Sequence, residues 1–198
     1  MILEEASDRH EFEMPYKNIK NLKQARPDVN PFTLSEVWLI LKHVRADYRP
    51  YYTIRFFTGM RTSEIDGLKW DCINFDRREI SIRGALVNGE MGPTKTLGSQ
   101  RDIAISQLVY DALLEQKTRT FGTSEFVFCN SQGNPMEYRN VNRRVWKPTL
   151  ALLGLKHRRA YQTRHTAATL WLAAGENPEW IARQMGHSST EMLFRVYS

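Results

Sequence analysis

The chain has 198 residues, 41 % of them hydrophobic and 25 % charged, with 28 Lys and Arg against 22 Asp and Glu for a formal charge of +6. This is ordinary globular usage, which excludes a disordered, fibrous or coiled-coil chain, and one domain of this length buries enough surface to fold unaided. Met1 to Asp8 hold neither a basic stretch nor an apolar one, and no segment approaches the apolar length of a membrane span, so a soluble cytoplasmic protein without a membrane partner is expected.

Residues 1–30 have little periodicity and a basic run at Lys17, Lys20, Lys23 and Arg26, ending in Pro27 and Pro31; they read as a linker or a disordered tail. Thr33-x-x-Glu36 forms a capping box for a helix whose apolar stripe is Val37, Ile40, Leu41 and Val44. A second helix runs from Pro50 to Thr58, with Gly59 as its left-handed stop, and a short third one starts at Thr62. From Arg78 to Ile105 the period changes to two, with Ile80, Ile82, Ile103 and Ile105 as core positions and Gly84, Gly89, Gly92, Pro93 and Gly98 as turn residues: a small antiparallel sheet. Phe126-Val127-Phe128 reads as a further strand or as buried loop.

Helical patterns return over Ser106–Thr118, over Tyr138–Leu153 with a kink at Pro148, and over Tyr161–Ala174 with Gly175 as stop. Asn177-Pro178-Glu179 caps a short helix that Gly186 closes, and Ser188-x-x-Glu191 opens a last helix carrying Leu193, Phe194 and Tyr197. Cys72 and Cys129 have no CxxC or Cys/His spacing, so they are expected to be reduced packing residues rather than a disulfide or zinc ligands. The fold class expected is α+β, mostly helical, with a small antiparallel sheet at one edge.

No phosphate loop, HExxH, GxSxG or calcium loop occurs, so the common nucleotide, metal and acyl-transfer signatures are absent. What remains is a set of basic groups at punctuated places: Arg61 at a helix start, Lys95 in a hairpin, Arg164 within a helix and His187 at a helix end. Each alone reads as a solvated arginine or a capping histidine. Together, three motifs resemble the tyrosine recombinase (phage integrase) family. They are Thr58-Gly59-Met60-Arg61-Thr62-Ser63-Glu64-Ile65; Lys95-Thr96 followed by Ser99-x-Arg101-x-Ile103; and Tyr161-x-x-Arg164-His165 through Gly186-His187 to Tyr197.

The resemblance implies roles residue by residue. Arg61 and Arg164 clamp the scissile phosphate, Glu64 supports Arg61, Lys95 protonates the leaving 5′ oxygen, His187 assists, and Tyr197 is the nucleophile that forms a 3′-phosphotyrosyl bond. Tyr161 stands where the family has histidine; its phenol can hydrogen-bond phosphate from the same helix face as Arg164, but it is a poorer proton carrier near neutral pH. His165 reads as a brace for the helix start. The chemistry suits these residue types, since charge spreads over the phosphate oxygens and the arginine fork matches it, so arginines and histidine supply the charge that a metal supplies elsewhere. No cofactor and no metal are implied.

The resemblance spans residues 31–198 as the catalytic domain, with 1–30 as a linker or the tail of a core-binding domain, so a fragment is expected whose assembly is weakened by ending just after Tyr197. Partners implied are double-stranded DNA, further protomers in a homo-tetramer on paired sites (a monomer as a free fragment) and accessory DNA-bending proteins. The basic balance fits backbone-dominated DNA binding. Arg101 is a candidate DNA contact, and Arg139, Arg143, Arg144 and Lys147 form a basic helix face that is equally a solvated one. The terminal helix, with few contacts expected, could swing Tyr197 as a unit. The leading expectation is a site-specific recombinase or prophage integrase; its rivals are a decayed DNA-binding domain and a type IB topoisomerase-like enzyme.

Overall fold

The computed structural model describes residues 2–13, 29–94, 99–187 and 189–197, without the side chains of residues 2–4, 195 and 197. Lys95, Gly98, Ser188 and the basic run at 17–26 therefore lie outside the described residues. Ten α-helices are described: α1 (Ile2–His10), α2 (Leu34–His43), α3 (Arg49–Thr58), α4 (Thr62–Asp66), α5 (Gln107–Thr120), α6 (Tyr138–Val141), α7 (Lys147–Leu152), α8 (Gln162–Ala173), α9 (Pro178–Met185) and α10 (Thr190–Tyr197). The five strands are β1 (Ile73–Asn74), β2 (Glu79–Ile82), β3 (Gly84–Val87), β4 (Glu90–Pro93) and β5 (Arg101–Ala104).

Local chemistry explains most boundaries. Thr33 and Glu36 make the reciprocal capping box of α2, with the Thr33 hydroxyl accepting from Glu36 N at 3.2 Å and the Glu36 carboxylate from Thr33 N at 2.8 Å. Gly59 ends α3 at φ 63°, a conformation that costs an L side chain about 1–2 kcal/mol. Residues 1–30, read as a linker or as a tail, begin with α1, in which Arg9 pairs with Glu5 one turn back at 2.7 Å.

The sheet expected over Arg78–Ile105 divides into two antiparallel pieces, β1-β2-β5 and the hairpin β3-β4. Gly84, Gly92 and Pro93 are strand residues, contrary to their reading as turns. Asn88 and Gly89 alone make that turn, because both have positive φ, the combination that a two-residue hairpin needs. Phe126–Phe128 is buried loop with one isolated bridge, Lys69 to Phe126, supported by Val127 N donating to Leu68 O at 2.8 Å. The kink expected at Pro148 takes the form of a π-helical turn over Asn142–Trp146, which absorbs the backbone bond that the proline cannot make.

The core centres on α3, whose Tyr51, Tyr52, Ile54 and Phe56 are fully buried against α5 and α8. Trp146 stacks on Tyr52 with ring centroids 4.9 Å apart, meets Phe32 edge to face, and donates its indole N–H to Arg158 O at 2.7 Å. A second cluster of Ala168, Ile181, Met185 and Leu193 joins α8, α9 and α10. Leu193 thus docks the terminal helix, which is held more firmly than its length suggests. Cys72 and Cys129 are free, half-buried thiols. No helix among the described residues is long and apolar enough to cross a membrane.

Candidate active site

α9 ends at Met185 because Gly186 turns left-handed at φ 67°, leaving the helix's last carbonyls without intrahelical partners. Three arginines from three elements take them. Arg101 Nε on β5 donates to Gln184 O at 2.7 Å, Arg164 Nη2 on α8 to Met185 O at 2.8 Å, and Arg61 Nη2 before α4 to Gly186 O at 3.0 Å. The partial negative charge of a helix C-terminus favours this gathering of cations. Arg164 Nη1 also donates to Gly59 O, so the stops of α3 and α9 are tied to one guanidinium. Gly186 is needed sterically as well, since a Cβ there would lie 2.9 Å from Arg101 Nη1.

Glu64 closes the cluster from below. Its carboxylate is 2 % exposed and accepts from Arg61 N at 2.8 Å, Arg61 Nη1 at 2.7 Å, Arg101 Nη1 at 3.1 Å and Arg101 Nη2 at 2.9 Å. Burial alone pushes its carboxyl pKa up, but the bonds and charge of Arg101 and Arg61 outweigh it and hold the group below its ordinary value. Two guanidinium groups thus share one carboxylate while Arg164, bonded to backbone carbonyls, has no carboxylate of its own among the described residues, so positive charge is in excess. Burial, then the like charges of Arg61 and Arg101, pull the Arg164 pKa down to about 10, against the opposing pull of Tyr161 and Glu64. Arg164 is 3 % exposed and forms the floor, while the Arg61 side chain, 26 % exposed, reaches the surface.

His187 follows directly, its N–H donating to Ala182 O at 2.9 Å as part of the α9 cap, while its Nδ1 has no hydrogen-bond partner among the described residues. Burial and the three arginines lower its pKa to about 4. The ring is therefore neutral at pH 7, which corrects the expectation that it adds charge: the arginines supply the charge and the histidine a polar contact. Because its folded pKa is depressed, its contribution to stability is complete above the ordinary value of about 6.5 and is lost as pH falls toward 4. Discounted for partial solvent screening, the loss at pH 5 is about 1 kcal/mol. Urea unfolding at pH 7.5 and pH 5 checks it: the acid sensitivity of the midpoint is expected to shrink in His187→Gln.

Tyr161 precedes α8, 43 % exposed, with its ring edge to face against His165 at 5.3 Å. His165 is buried, and burial followed by the charge of Arg164 lowers its pKa, in keeping with a bracing role. Arg139, Arg143, Arg144 and Lys147 are exposed along the kinked helix formed by α6, the π turn and α7. Arg101 is not at the surface: its side chain is 7 % exposed, so its reading as a direct DNA contact gives way to that of a buried brace for Glu64. Only the backbone of Tyr197 is described, at the end of α10.

Two features escaped the sequence. The carbonyls of Gln184, Met185 and Gly186 carry no side-chain signal. Arg55, fully buried in α3, donates to Tyr51 Oη at 2.9 Å and to Thr62 Oγ1 at 2.7 Å, while Tyr51 donates to Asp66 at 2.7 Å; a further bond to Ala160 O at 3.3 Å ties α4 to the approach of α8. An arginine inside the apolar run Tyr52-Thr53-Ile54-Arg55-Phe56-Phe57 was the available hint.

The model of the phage integrase family matches residues 17–198, starting upstream of the motif-based boundary at 31. Over 210 aligned residues the chain is 30 % identical to the putative defective protein IntQ of Escherichia coli (strain K12), covering 92 % of this chain and 53 % of that protein. It is 27 % identical to the prophage integrase IntR of the same strain, over 92 % and 50 %. The chain thus spans about half the length of these curated relatives. Among solved structures, the Tn1549 transposon integrase in complex with a circular intermediate DNA superposes with a TM-score of 0.77 at 22 % identity, over 89 % of this chain and 64 % of that one. A lambda integrase tetramer bound to a Holliday junction gives 0.67 at 16 %, over 95 % and 55 %. These likenesses establish the fold.

Proposed function

The chain belongs to the phage integrase family, and on that premise we propose that it is the catalytic part of a site-specific DNA recombinase. The observation that carries this reading is the gathering of Arg61, Arg101 and Arg164 on the carbonyls at the end of α9 beside the single buried carboxylate of Glu64, a site with excess positive charge. Such a site stabilises an anion whose charge grows in a transition state, as a phosphodiester's does under attack.

In the proposed reaction the Tyr197 hydroxyl releases its proton to solvent as its oxygen attacks a DNA phosphorus, the P–O5′ bond breaks, and Lys95 gives its proton to the leaving 5′ oxygen. Arg61 meets the phosphate from the solvent side and Arg164 from the floor; His187 and Tyr161 offer hydrogen bonds. The tyrosyl ester preserves the bond energy, so a 5′ hydroxyl reverses the step and rejoins a strand. The reading extends to residues 31–198 as catalytic domain and 1–30 as linker or tail of a core-binding domain, to double-stranded DNA as partner, to action as a tetramer on paired sites with DNA-bending accessories, and to the cytoplasm as location.

The test is a duplex nicked beside the cleavage site, taken from the junctions that flank the encoding element. A covalent adduct on a denaturing gel, mapped to Tyr197 by mass spectrometry and absent with Tyr197→Phe, is expected. DNA binding without any adduct would overturn the reading in favour of a binding-only domain.

A further inference from the structure

Between α7 and α8 the chain runs Lys156-His157-Arg158-Arg159, four basic residues in irregular backbone. Arg158 has a structural use: it is half-buried, donates both terminal nitrogens to the Glu36 carboxylate at 2.9 Å, and lies 4.3 Å over the Phe32 ring. Its neighbours do not share that role. Lys156, His157 and Arg159 are exposed and make no side-chain bond among the described residues.

These side chains form one wall of a groove of about 620 Å³, with Tyr161, Gln162 and His165 also in its lining. Asn30 also lines it, fixed by its N–H donating to the Gln162 side chain at 2.9 Å, and Phe32 N is likewise bonded to Thr166 Oγ1 at 2.9 Å. The groove is therefore built on the rigid start of α8 rather than on a free loop. Among the described residues its lining contains no carboxylate, whereas three other surface cavities each include at least one, from Glu64 and Asp71, from Asp47, or from Asp66 and Glu137. Tyr161 and His165, in edge-to-face contact, flank Arg164 in the sequence at the start of α8.

We propose that this groove seats backbone phosphates of the DNA strand that flanks the phosphate held at Arg61 and Arg164, with Lys156 and Arg159 as their contacts. The inference rests on the reading of the chain as a DNA-acting enzyme. A pair of cations with no ion pair among the described residues, on a wall that also holds Tyr161 and His165 to either side of Arg164 in the sequence, matches a polyanion with regularly spaced charges better than a single small anion. Phosphate contacts of this kind position DNA without reading its sequence, so the groove would hold any duplex in register with the cleavage site.

Salt dependence tests it with any short duplex and the full chain carrying Tyr197→Phe, which prevents cleavage during binding. Anisotropy titrations between about 50 and 200 mM salt are expected to give a log–log slope smaller in magnitude by about 2 in Lys156→Gln/Arg159→Gln, since each lost phosphate contact removes about 0.9. The control Lys117→Gln/Arg119→Gln on α5 changes net charge equally and is expected to leave the slope within 1 of its starting value. Equal slopes for both double variants, or no change in either, overturn the proposal. Adduct formation at Tyr197 is measured separately: an adduct with an unchanged slope removes the groove and keeps the recombinase, and a groove-specific slope change without an adduct does the reverse.

Discussion

Arg164→Lys is expected to lower single-turnover strand cleavage by about 10²–10³-fold, the usual cost of removing one preorganised donor from a charge-stabilising site. The arginine fork spans two carbonyls from different segments, Gly59 O at the end of α3 and Met185 O at the end of α9. A lysine presents one compact ammonium and cannot hold both while also facing a phosphate. The rest of the site depends on that span, because Arg61 bonds to Gly186 O one residue beyond Met185, and His187 comes next. Loosening one carbonyl therefore moves the neighbouring donor and the histidine together.

Burial already draws the Arg164 pKa down to about 10. A lysine in the same surroundings starts from a lower ordinary value, near 10.4, so the same burial and the same like charges bring it closer to losing its proton. The rate of Arg164→Lys is then expected to rise with pH less than that of wild type, or to fall above neutrality as the ammonium discharges. A loss of less than about 10-fold, with the melting temperature unchanged, would show that α9 is held by other means.

What could be read from the sequence was local. The Thr33–Glu36 capping box, the stops at Gly59 and Gly186, and the Asn177 cap each rest on interactions within a few residues, and the structure has all of them. The motif arginines were readable as a set because their residue types match the chemistry of phosphate. The place of Arg101 was not: it stands in the second motif and reads as a DNA contact, and only the approach of β5 to α9 turns it inward onto Gln184 O and Glu64. The same limit applies to Phe126–Phe128, where burial without a full strand partner depends on where Leu68 runs. It applies again to α1, whose nine residues show mainly a polar surface.

Glu64→Gln is expected to destabilise the protein by about 3–5 kcal/mol, the range for removing one partner of a buried ion pair. Glu64 accepts four hydrogen bonds from two arginines, and a glutamine in its place must point an amide N–H₂ at one of those guanidiniums. Arg61 and Arg101 then share no carboxylate, and their repulsion, with that of nearby Arg164, adds to the lost bonds. Removing Arg101 as well relieves part of the strain, so Glu64→Gln/Arg101→Gln is expected to cost less than the sum of the two single changes, a coupling that urea unfolding resolves. Because a bound anion substitutes for the missing carboxylate, the melting temperature of Glu64→Gln is expected to rise more steeply with inorganic phosphate than that of wild type. The reverse ordering would mean that Glu64 holds the backbone of α4 rather than balancing charge, since Arg61 N is among its donors.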